Sequence, residues 1–167
     1  MKESKFTKTL WTSKKQNYNT PSWLFHKLNS YYDFITDPCT SEDNPLGCEI
    51  FFTKKSNGLD RKKWGNGNVF INPEYKNIRE WVQEAYQFFC RTGNTVVLLL
   101  PSRTGNRVYQ DLIFPNASLI CFIRGRLKFD DAENSAPFDS ALIIFNKNIT
   151  FEEKNLYRDI GSLVTVD

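Results

Sequence analysis

Thr95 to Leu100 reads Thr-Val-Val-Leu-Leu-Leu, an unbroken run of β-branched and leucine residues. Nothing polar alternates through it, which is the pattern of a central parallel strand. The flanking segments extend that reading. Before it, Ile78, Trp81, Val82, Ala85, Phe88 and Phe89 recur at helical spacing and close near Gly93. Earlier still, Asn68 to Ile71 reads as a strand, and so does Phe34 to Thr36, which ends at Asp37-Pro38. Thr20-Pro21 is a helix-start signal, followed by Trp23, Leu24, Leu28 and Tyr31 at helical spacing.

Strands therefore alternate with helices through the middle of the chain, as in an α/β sheet. After the central run, a helix is expected over 106–113, then strands over 119–123 and 141–145. No convincing helical pattern joins that last pair, so they are expected as an antiparallel hairpin. Thr150 and Glu153 form a capping-box pattern for a C-terminal helix ending near Gly161. Cys39 to Asn68 is loop-rich, with Asn-Gly and Gly-Asn turns. Residues up to Asn19 lack periodicity and are expected to be extended or mobile. With no internal repeat and no dividing linker, 1–167 is expected to be one domain.

Composition narrows the function. A chain of 167 residues that is 40% hydrophobic can bury a sizeable core. No apolar run approaches membrane-spanning length and the start of the chain is polar and basic, so a cytoplasmic protein is expected. Cys39, Cys48, Cys90 and Cys121 are scattered with no C-x-x-C pair, and His26 is the only histidine. That argues against a zinc site, a disulfide framework or a histidine-based triad. The net charge is only +3, but its distribution is uneven. Lys2, Lys5, Lys8, Lys14 and Lys15 form one basic cluster, and Lys54, Lys55, Arg61, Lys62 and Lys63 another. Such clusters are either a nucleic-acid footprint or solvated loop lysines.

The turn after Ile71 carries the sharpest chemical signal. It reads Asn72-Pro73-Glu74-Tyr75. The turn brings an amide, a backbone carbonyl and an aromatic face to the carboxyl end of a strand, groups that suit methylation of a planar exocyclic amine. The lone pair of adenine N6 is delocalised into the ring. Two acceptors facing its two hydrogens bias the nitrogen toward a tetrahedral shape, and Asn72 and the Pro73 carbonyl can be those acceptors. Tyr75 can stack on a base that has left the duplex. The same residues also make an ordinary strand end with an Asx-type turn.

A wider series completes the picture. Trp11; Thr20-Pro21; Asp37-Pro38; Asn57-Gly58-Leu59 with Trp64; Asn72-Pro73-x-Tyr75; Leu98 to Thr104; Gly125 to Phe129; and Ala136-Pro137-Phe138 occur in this order. The series resembles the phage-type Dam family of DNA N6-adenine methyltransferases over roughly residues 11 to 146. The resemblance implies a Rossmann-like fold dependent on S-adenosylmethionine, with a mostly parallel sheet and an antiparallel C-terminal strand. It implies methyl transfer to a flipped adenine, in a site-specific reaction of the restriction-modification type. Asn72, Pro73 and Tyr75 would be catalytic. Trp11, Thr20, Pro21, Asp37 and Pro38 would meet the cofactor, Asp37 through the cofactor's positive charge. Arg103, Thr104, Arg124 and Arg126 would meet DNA, unless Arg103 is a loop charge or the later arginines pair with Asp130 or Asp131. With so short a chain, specificity would come from the loops over 39–68 and 130–139 or from a second subunit in a homodimer. A phage-encoded enzyme would work in the cytoplasm of a bacterial host.

Two positions depart from the family pattern. Glu74 replaces a proline, and Asp139 replaces another. Glu74 is expected to face solvent, because an unpaired buried carboxylate is costly. It keeps open two other readings, a catalytically weak DNA- or partner-binding relative and an RNA methyltransferase.

Overall fold

A computed structural model describes residues 18–130 and 132–165. Three helices are named here as α1 (Ser22–Tyr32), α2 (Ile78–Thr92) and α3 (Phe151–Arg158). The strands are β1 (Phe34–Asp37), β2 (Ile50–Phe51), β3 (Asn68–Ile71), β4 (Val96–Pro101), β5 (Leu119–Ile123), β6 (Ser140–Phe145) and β7 (Gly161–Thr165). They form one seven-stranded sheet in the order β2-β1-β3-β4-β6-β5-β7.

The Thr95–Leu100 run does lie in the middle of this sheet. Successive side chains of a strand point to opposite faces, and both faces are covered. Val97 and Leu99 pack with Leu24, Phe25 and Leu28 of α1 and Tyr157 of α3. Val96, Leu98 and Leu100 pack with Trp81, Val82, Ala85 and Phe88 of α2. Each such fully buried apolar side chain contributes about 1.5–3 kcal/mol against remaining exposed. Helices on both faces explain why no polar residue interrupts the run.

The sheet divides at β4. On one side, β2, β1, β3 and β4 pair in parallel. On the other, β6 pairs antiparallel with both β4 and β5, and β7 pairs antiparallel with β5. The expected antiparallel pairing of β5 with β6 is present. The sheet is parallel only in its first part, however, so the expectation of a mostly parallel sheet is corrected.

Other expectations also change. The C-terminal helix has its full capping box, but it stops at Arg158. Gly161 opens β7 and does not follow the helix, because a Cβ there would lie 2.0 Å from the Phe122 carbonyl oxygen of the neighbouring strand. The segment over 106–113 holds a π-helical turn, Tyr109–Ile113. The loop-rich stretch contributes β2 to the sheet edge. At Thr20-Pro21, Pro21 is the N-cap and not the first helical residue, and no side chain of its own caps the helix. Asp130 serves from afar, its Oδ2 accepting from Ser22 N at 2.9 Å.

Candidate active site

β1, β3, β4 and β5 run in one direction, so the turns that follow them share one edge of the sheet. From β1 the chain moves first to β2 on one side and then to β3 on the other. The crevice beyond β1 and β3 is thus a topological switch point, the usual place for a ligand in an open α/β sheet. A cavity of about 620 Å³ lies there, lined among others by Thr20, Asp37, Pro38, Trp81, Asn72 and Glu74. Its size falls within the usual range for small-molecule sites.

One wall is built from the loop between β2 and β3. Trp64 is fully buried, stacks on Trp81 with centroids 6.4 Å apart, and donates from Nε1 to the Gly58 carbonyl at 2.7 Å. Thr36 Oγ1 of β1 donates to the Trp64 carbonyl at 2.7 Å. Gly58 lies so close to Pro38 that a Cβ would stand 1.6 Å from the Pro38 carbonyl oxygen. Only glycine fits at this contact.

Asp37 closes β1 and is 4% exposed. Cys39 N donates to its Oδ1 at 3.1 Å, and it makes no ion pair among the described residues. Burial without a cation pushes its carboxyl up to about 7. Cys39 beside it is half-buried, and desolvation raises its thiol well above the ordinary value.

Glu74 corrects the expectation of a solvent-facing carboxylate. Its side chain is 20% exposed, it lines the cavity, and it pairs with Lys54 at 2.5 Å and Lys76 at 3.3 Å. Lys54, aided by Lys76, holds its carboxyl below the ordinary value. The desolvation cost that argued for exposure is offset by this pairing.

The Asn72 amide is tied to the segment before α1. Its Nδ2 donates to the Tyr18 carbonyl at 2.7 Å and to Thr20 Oγ1 at 3.0 Å. Thr20 is 7% exposed and Pro73 is buried. Tyr75 lines a small hollow with Arg103 and Tyr109 and not the cavity itself. Tyr18 stacks on it with centroids 5.7 Å apart and 25° between planes, and Phe138 meets it edge-on at 5.3 Å.

The structure thus brings Thr20, Asp37, Pro38 and Asn72 to one cavity, while Pro73 and Tyr75, on the same turn as Asn72, are not among its lining residues. Pro21 is buried but does not line the cavity, and Trp11 lies outside the described residues. Arg103, Thr104, Arg124 and Arg126 are exposed on turns at the same sheet edge. Asp130 engages Ser22, and neither Arg124 nor Arg126 pairs with it. Sequence reasoning missed Tyr18, Phe138 as a Tyr75 neighbour, and the Lys54–Glu74–Lys76 cluster. Lys54 and Glu74 are twenty positions apart, so no local pattern joins them.

A mixed α/β sheet with a ligand-sized cavity at its switch point and an amide-bearing turn on that cavity defines a class of ligand-binding α/β proteins. The comparisons with known proteins make this particular. The sequence model of DNA N-6-adenine-methyltransferase (Dam) matches residues 7–166. The DNA N-6-adenine-methyltransferase of Haemophilus phage HP1 (strain HP1c1) is 30% identical over 130 residues, 76% of this chain and 73% of the phage protein. The chain belongs to the DNA N-6-adenine-methyltransferase (Dam) family.

Proposed function

We propose that this protein transfers a methyl group from S-adenosylmethionine to N6 of an adenine turned out of DNA, on a Rossmann-like sheet formed by one domain. The observation that carries the reading is the sharing of one cavity by Asp37 at the end of β1 and Asn72 at the end of β3. Family membership supplies the reaction, methylation of adenine N6 in DNA.

The lining fits the proposed cofactor. S-adenosylmethionine has no phosphate, so a glycine-rich phosphate loop is not needed, but it carries a sulfonium and an amino group. Asp37 is a buried carboxylate without a cation of its own among the described residues. Thr20, Pro38 and Trp81 also line the cavity. When bound, the cofactor supplies an electrophilic methyl group.

The chain's own residues position the amine. Asn72 uses its nitrogen on Tyr18 and Thr20 and keeps Oδ1 as an acceptor for one amine hydrogen. The Pro73 carbonyl takes the other. Tyr75 offers its face to the base once the Tyr18 ring yields it. Catalysis is then mainly alignment for in-line transfer. Arg103, Thr104, Arg124 and Arg126 contact the DNA backbone. The pairing of Glu74 with two lysines favours an active enzyme over a weakened binding relative, since the departure from proline adds no unpaired charge to the cavity.

Asn72→Ala is expected to abolish methyl transfer to duplex DNA while leaving calorimetric S-adenosylmethionine affinity nearly intact. A group used mainly at the transition state affects turnover more than ground-state binding. Wild-type turnover in that variant would overturn the mechanism, and methyl transfer to RNA in preference to DNA would overturn the substrate.

A further inference from the structure

We infer that Tyr18 and Thr20 are positioning residues that set the rotation of the Asn72 amide and make position 72 selective for an amide over a carboxylate. The inference rests on the reading of Asn72 as the amine acceptor and adds what orients it.

An asparagine side chain presents an acceptor on one side and a donor on the other. The Tyr18 carbonyl can only accept, and it stands 2.7 Å from Nδ2. The nitrogen must therefore face it, with Thr20 Oγ1 at 3.0 Å as the second acceptor. Reversing the amide would bring two oxygens together and lose both hydrogen bonds. Oδ1 is thereby turned away from the segment, and it accepts no hydrogen bond among the described residues.

The segment that imposes this is itself anchored. The Tyr18 ring packs among Tyr75, Phe129 and Phe138, with centroids 5.7, 4.8 and 5.6 Å away. The Asn19 carbonyl accepts from Asp130 N at 3.3 Å, and Asp130 Oδ2 holds Ser22 N at 2.9 Å. A carboxylate at position 72 would have no hydrogen to offer the Tyr18 carbonyl, although the Thr20 hydroxyl could turn and donate to it.

The test uses the full chain and duplex DNA with saturating S-adenosylmethionine. Thr20→Val keeps the side-chain volume and removes the acceptor. It is expected to lower kcat at saturating S-adenosylmethionine about tenfold, as for one lost hydrogen bond, beyond any loss of cofactor affinity that its place on the cavity wall brings. Thr20→Ser is expected to recover most of that loss. Asn72→Asp supplies a sharper readout. It is expected to be nearly inactive at pH 8 and to gain about tenfold or more in kcat toward pH 6, because a proton on the introduced carboxyl provides the missing donor.

Among the described residues, the other charged or titratable groups around this turn and its cavity are Asp37 and Cys39 after β1, Glu42 with Lys55, Glu74 with Lys54 and Lys76, Tyr18, Tyr75 and Arg103. Asp37 also titrates near neutrality. Saturating cofactor and a parallel wild-type profile separate its effect. Wild-type kcat in Thr20→Val, a loss of cofactor affinity that accounts for its whole defect, or no acid recovery in Asn72→Asp would overturn the inference. If Asn72→Ala is inactive while these outcomes occur, only the inference falls. If Asn72→Ala is fully active, the reading beneath it falls as well.

Discussion

Asp37 and Glu74 are two carboxylates on one cavity, one at the end of β1 and one just past the end of β3. Glu74 arrives with its counter-charges, Lys54 and Lys76, and ionises readily. Asp37 has hydrogen bonds from Cys39 N and the Thr40 side chain but no cation among the described residues, and its carboxyl is raised to about 7. Under the proposed function the difference is one of purpose: a carboxylate satisfied within the chain shapes the wall, while one without a cation among the described residues would receive a charged ligand.

The largest test of that contrast is Asp37→Asn. If Asp37 receives the cofactor's positive charge, the change is expected to weaken S-adenosylmethionine binding by about 1.5–3 kcal/mol, the value of a charge-assisted hydrogen bond. Calorimetry showing unchanged affinity would make Asp37 a turn aspartate and end the comparison.

Acidity sharpens the contrast next. A bound cation favours the ionised form, so wild-type affinity is expected to rise as pH climbs through about 7 and Asp37→Asn to remain flat. Stability moves the other way. Between its ordinary value of 3.8 and about 7, the folded protein holds a proton on Asp37 that the unfolded chain has lost. The unfolded state then binds fewer protons, so stability falls as pH rises through this window, and the full cost remains above it. Thermal melting is therefore expected to show Asp37→Asn gaining on wild type at pH 8 and not at pH 4. Parallel melting profiles would mean that burial costs Asp37 nothing.

Glu74→Pro gives the smallest effect. Its φ of −61° already matches proline, and Lys54 and Lys76 are largely exposed. Pairs of this exposure contribute at most about 1 kcal/mol, so melting is expected to change little. Releasing two lysines from the carboxylate is expected to tighten DNA binding modestly, with a steeper salt dependence. A large rise in turnover would instead mark Glu74 as a natural brake on the enzyme.

The parts that were legible in the sequence have local causes. The Val96–Leu100 run could only be a strand covered on both faces, and the spacing of Trp81, Val82, Ala85 and Phe88 could only serve a helix with one buried side. Thr150 and Glu153 carry their capping geometry within one turn. Strand β7 was not legible, because Gly161 after a helix reads as a stop signal. Its role as a strand start depends on the close approach of Phe122 from another strand.

The same division runs through the candidate site. By itself the sequence determined that an Asn-Pro-x-Tyr turn ends one strand and Asp-Pro another, since strand ends and proline turns are local events. Only the tertiary structure decided that both turns open onto one cavity, because the order β2-β1-β3 depends on which strands pair across the sheet. It also decided that Tyr18 and Thr20 hold the Asn72 amide from more than fifty positions away, and that Lys54 reaches Glu74 from twenty. Hydrogen bonds and ion pairs of that reach are set by the packing of whole elements, which no window of sequence contains.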